Sequence, residues 1–140
     1  MKFPLAVLAF ALAAGLAQAQ QRPAPARPPE PAPAPRAEPP PPYEPQLLRL
    51  AEIMGALAWL RDLCGQKDGD AWRARMTSLI DAEATTEARK ERLAGAWNRG
   101  FRGFEATYRA CTPNAELVIS RYLDEGQRIA RDVANRFGGG

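Results

Sequence analysis

Residues 45–65 read PQLLRLAEIMGALAWLRDLCG. Proline at its start and glycine at its end are the residues favoured at the first helical position and just past the last. Between them Leu50, Ile53, Met54, Leu57, Leu60 and Cys64 recur at i, i+3, i+4, i+7 spacing, one face of an α-helix. Leu48, Gly55, Trp59 and Leu63 form a second apolar patch opposite. A helix apolar nearly all round is buried on two sides. This segment is therefore either the central helix of a helical domain or half of a binding surface.

Towards the C-terminus three more amphipathic segments follow. After a polar loop from Gln66 to Asp70, with Asp70 as the expected N-cap, Trp72, Met76, Leu79 and Ile80 mark a second helix, and Glu83 falls within its apolar stripe. Ala84-Thr85-Thr86 makes a turn in which either threonine suits a cap. A third helix, expected over about 87–110, carries Leu93, Trp97, Gly100, Phe101, Phe104, Tyr108 and Cys111 on one arc. Thr112-Pro113 reads as the N-cap and first position of a fourth helix, with Val118, Ile119, Tyr122, Gly126, Ile129, Val133 and Phe137 as its face and Gly138 as its end. Strand signals are absent. The expected architecture is all-α, a four-helix up-down-up-down bundle over residues 46–140.

Towards the N-terminus the composition changes. Lys2, the apolar run Phe3–Leu16 and Ala17-Gln18-Ala19 have the pattern of a signal peptide cleaved after Ala19, with a run too short for a transmembrane helix. Residues 20–45 hold 12 of the 14 prolines, together with Ala, Arg and Glu, and read as a disordered linker. The expected location is the periplasm, with no stable membrane anchor after cleavage. Two cysteines in an exported chain predict a disulfide. In an up-down-up-down bundle Cys64 and Cys111 fall at the same end, the C-ends of helices 1 and 3.

The chain has no histidine, which removes Ser-His-Asp and Cys-His catalysis and imidazole-held metals. No glycine-rich phosphate loop or metal-ligand cluster occurs, so no cofactor and no metal are expected. Residues 46–140 contain 15 basic and 13 acidic side chains, too balanced for a nucleic-acid binder. The acids of doubtful solvation are Glu52, Glu83 and Glu125, with Arg61, Arg73 and Arg92 as available partners. Helix 3 interleaves Trp97, Arg99, Gly100, Phe101, Arg102, Gly103 and Phe104. On a helical wheel the aromatics turn to the core, while Arg89, Arg92, Arg99, Arg102 and Arg109 spread over a solvated face with a Glu105–Arg109 pair. Arg99 and Arg102 are candidates for an anionic partner. Gly100 and Gly103, with Ala51, Gly55 and Ala58, suit close helix packing.

Several motifs combine into a resemblance. They are Leu50-Ala51-Glu52-Ile53-x-Gly55-x-Leu57, Leu60-Arg61-x-Leu63-Cys64-Gly65, Trp72-Arg73-x-x-Met76, Asn98-Arg99-Gly100-Phe101-Arg102-x-Phe104, Tyr108-x-x-Cys111-Thr112 and Tyr122-x-x-Glu125-Gly126. Over about residues 47–137 the chain resembles a family of exported alphaproteobacterial proteins of unknown function with two well-separated cysteines. The resemblance implies a periplasmic location and a Cys64–Cys111 disulfide, and no enzymatic role or ligand.

The function expected from these readings is a non-enzymatic periplasmic helical domain that binds a protein or cell-envelope partner. Trp59, with Leu48 and Leu63, would be the anchor. The alternatives are a small cell-wall hydrolase working through carboxylates such as Glu83 or Glu125, and a secreted inhibitor or immunity-like module.

Overall fold

The computed structural model describes residues 39–138, so the expected signal peptide and most of the proline-rich linker lie outside the described residues. Four helices follow one another: α1 Glu44–Leu63, α2 Gly69–Glu83, α3 Glu87–Thr107 and α4 Pro113–Phe137. They make up 81% of the described residues, among which there is no strand. The fold is the all-α four-helix arrangement expected, and Cys64 is bonded to Cys111 with their Cα atoms 4.9 Å apart.

α1 is the central helix. Ala51, Ile53, Ala56, Leu57, Ala58 and Leu60 are each no more than 1% exposed, and α1 packs against all three other helices. Its most extensive partner is α3. α2 touches α3 only lightly, and the backbone of α4 comes close to α1 alone among the helices. The tight α1–α3 contact follows from two glycines. A side chain at Gly55 would run into the carbonyl of Trp97, and one at Gly100 into the carbonyl of Glu52. Without a Cβ at either place the two backbones cross almost in contact. Gly103, expected to share this role, faces open space.

This crossing settles the second apolar face of α1. Trp59 is half-buried, packs edge-on to Phe101 with ring centroids 5.7 Å apart, and donates its indole N–H to the carbonyl of Tyr108 at 3.3 Å. The face expected to present Trp59 as a partner anchor is therefore covered by α3 of the same chain. Leu63 is half-buried in a small crevice beside Trp59, and half-buried Leu48 borders a surface cleft with Pro39–Pro42.

The helix ends differ from the sequence expectation where distant groups intervene. α1 begins at Glu44, because Glu44 is only 5% exposed and its Oε1 accepts from Arg92 Nε (3.0 Å) and Nη2 (2.8 Å). Tyr43 stacks obliquely on Phe137, with ring centroids 4.9 Å apart. Both residues belong with the helical domain although the proline pattern groups them with the linker. α2 starts at Gly69 with Asp68, not Asp70, as its flanking residue. Its first N–H is taken by Asp62 Oδ1 of α1 at 2.8 Å, a cap supplied across the loop. α3 stops at Thr107. Tyr108 is extended (φ −110°, ψ 118°), and the five residues from there to Thr112 carry Cys111 back to the end of α1. The expected Glu105–Arg109 pair spans this helix end, and no such ion pair is present among the described residues. Thr86 and Thr112 cap α3 and α4 as their positions predict, accepting from Arg89 N and Ala115 N.

Candidate functional site

α4 is the helix least covered by the rest of the chain. Only Ala115 and Gly126 of its 25 residues are buried. Gly126 lies against α1, where even a Cβ would rest in ordinary contact with Ile53 Cγ2 (3.4 Å) and Leu50 Cδ1 (3.6 Å). Because α2 and α4 both lie against α1 but not against each other, a groove remains between them. It has a volume of about 650 Å³, within the range of small-molecule sites. Its floor is Leu50, Ile53, Met54 and Leu57 of α1, and Trp72 and Leu79 of α2 form one wall. Tyr122, Leu123 and Ala130 of α4 form the other. The lining is apolar apart from four exposed residues, Arg75 and Ser78 on α2 and Asp124 and Gln127 on α4, which form its rim. The Arg75 guanidinium lies over the Trp72 ring, 4.7 Å from its centroid, a cation–π geometry.

The acids of doubtful solvation are all partnered, by arginines other than those expected. Glu125 accepts two hydrogen bonds from Arg49, at 2.7 and 3.0 Å, and Glu52 accepts a third from the same guanidinium at 3.2 Å. Arg49 also lies over the Tyr122 ring, 5.1 Å from its centroid, so it ties α4 to α1 beside the groove. The hydrogen bonds from Arg49 hold the Glu125 carboxyl below the usual carboxylate range, the opposite of what a general acid needs. Glu83 lies 3.7 Å from Arg89 Nη2. Arg89, expected on the solvated face of α3, is 9% exposed and also approaches Glu44 at 3.7 Å. The expected partners serve elsewhere. Arg61 binds Asp68 in bidentate fashion at 2.6–3.0 Å, Arg92 binds Glu44, and Arg73 lies over Trp97 and Phe101. The hydrogen bonds from Arg61 hold the Asp68 carboxyl below the usual carboxylate range, and the charge of Arg75 acts in the same direction.

Depressed carboxyl pKa values stabilise the fold above the unfolded pKa, and that stability is lost as pH falls through the folded value. Stability should thus be flat above about pH 5 and decline below about pH 4, the unfolded range of Glu and Asp. Thermal melts of Glu125→Gln across pH 3–7 should show a shallower acid decline than the unmutated chain. Equal slopes would mean that the Arg49–Glu125 pair does not contribute.

Over residues 42–137 the chain matches the family model described as a protein of unknown function, DUF2385. The chain belongs to the DUF2385 family. The matched region of this DUF2385 domain includes Tyr43 and Glu44, the two residues that join the helical domain in the structure. No curated protein and no solved structure matches the chain.

Of the candidate residues named from sequence, Glu52 and Glu125 are brought together by Arg49 at the edge of the groove. Trp59 and Leu63 meet elsewhere, and Leu48 stands apart from them. Arg99 and Arg102 are exposed on α3, and neither lines the groove. Arg75, Ser78, Leu123, Asp124, Gln127 and Ala130 are the groove residues that sequence patterning passed over. Leu123 adjoins the fourth apolar stripe, and that adjacency was its only local signal. Among the described residues no helix is long and apolar enough to cross a membrane.

Proposed function

We propose that this is a non-enzymatic binding domain of the cell envelope, exported by its N-terminal segment, that takes an apolar ligand into the groove between α2 and α4. The observation that carries this reading is an apolar cleft of about 650 Å³ with charged groups confined to its rim. A small domain ordinarily closes such a space by helix packing, and open apolar concavities mark binding sites. The depressed Glu125 carboxyl supports a binding role over hydrolysis through that residue.

Ala130 is exposed and lines the α4 wall, so Ala130→Trp fills the groove without disturbing the packed face of α4. A neutral solvatochromic dye should bind the unmutated chain with about one-to-one stoichiometry, and Ala130→Trp should weaken that binding at least about tenfold, roughly 1.4 kcal/mol. The melting temperature should stay within a few degrees. Dye binding that ignores the substitution would locate the ligand outside this groove.

A further inference from the structure

The lining of the groove restricts what enters it. Its accessible apolar surface comes from half-buried Leu50, Trp72, Leu79, Tyr122 and Leu123, since Ile53 and Leu57 beneath them are only 1% exposed. A second copy of the chain is disfavoured as the occupant. The exposed large hydrophobics among the described residues are Leu117 (46%) and Phe137 (43%), 20 residues apart on α4 and hence about 30 Å distant at 1.5 Å per residue. No continuous apolar ridge is available to fill a neighbouring groove. An open apolar groove of about 650 Å³ has room for a single hydrocarbon chain.

The rim specifies what that chain carries. Arg75 stands on the α2 wall and Asp124 on the α4 wall, and neither forms an ion pair within the chain among the described residues. A fatty acid would satisfy Arg75 but set its carboxylate against Asp124. A cationic amphiphile would do the reverse. A head group bearing both signs satisfies both walls, with its anion on Arg75 and its ammonium on Asp124, and Ser78 and Gln127 can serve its neutral polar atoms.

Resting on the binding role above, we propose that the ligand is a single-chain zwitterionic amphiphile carrying a phosphate and an ammonium group, of the lysophosphatidylethanolamine type. The chain fills the groove against Leu50, Leu79 and Leu123, and the head group bridges Arg75 and Asp124.

The test is isothermal titration of the full chain with its disulfide intact, using three probes below their micellar concentrations: lysophosphatidylethanolamine, dodecanoate and dodecyltrimethylammonium. The zwitterion should bind tightest, and each added methylene should tighten it by about fourfold until the groove is full. Arg75→Glu should weaken the zwitterion about tenfold and strengthen dodecyltrimethylammonium, and Asp124→Arg should weaken the zwitterion about tenfold and strengthen dodecanoate. Both sites are exposed, and Arg75→Gln and Asp124→Asn repeat the test without charge reversal. Equal affinity for the three probes, or a zwitterion affinity unmoved by all four variants, overturns the proposal. So does one-to-one binding of an amphipathic helical peptide with no binding of the amphiphile. If no charged probe binds while the neutral dye still responds to Ala130→Trp, the zwitterion is wrong and the binding role stands. If the dye fails as well, both fall.

Discussion

Replacing Cys64 and Cys111 together by alanine should lower the stability of the domain by about 4 kcal/mol. The bridge closes a loop of 47 residues, and the chain-entropy relation for a loop of that length gives about this figure at 25 °C. For a domain of this size the melting temperature should fall on the order of 20 °C. The loss should not be uniform. Cys111 directly precedes the Thr112 cap of α4, and α4 rests mainly on α1, touching α3 through Tyr122 against Phe104. Once the bridge is gone, α4 keeps its seat through Gly126, the Arg49–Glu125 pair and half-buried side chains. Hydrogen exchange on the double mutant should therefore show α4 amides opening before those of α1 and α3. A double mutant that melts within a few degrees of the unmutated chain would contradict this account of the bridge.

The second large effect is expected at Gly100. A methyl group there meets the Glu52 carbonyl, part of a rigid helix backbone that cannot rotate away as a side chain can. α1 and α3 would have to separate along their most extensive contact, so Gly100→Ala should cost at least about 3 kcal/mol. Gly103→Ala, three residues along the same helix, adds its methyl to open space. It should stabilise the domain by about 1 kcal/mol through helix propensity alone. Chemical denaturation of both variants checks the pair. Equal effects of the same sign would mean that the helices do not cross where Gly55 and Gly100 place them.

These two glycines also show what was legible in the chain. The composition of α3 marked Gly100 and Gly103 alike as small residues suited to close packing. Only the crossing point of α1 and α3 distinguishes them. Trp59 has the same history. Periodicity leaves its helical face either internal or free for a partner, and the covering residues, Phe101 and Tyr108, lie more than forty positions away. The caps at Thr86 and Thr112 were legible because they depend on groups three residues apart. The cap of α2 was not, because its acceptor, Asp62, comes from the preceding helix.

The charged groups divide in the same way. Arg49 and Glu125 are 76 positions apart, and Glu44 and Arg92 are 48 apart, so no local pattern joins them. Helix count, helix faces, the disulfide and the missing histidine chemistry follow from residue type and short-range spacing, since helical periodicity and capping are local. The covering of the Trp59 face and the opening between α2 and α4 depend on how helices cross. A helical wheel states which arc is apolar, and the tertiary packing decides which neighbour, if any, lies against it.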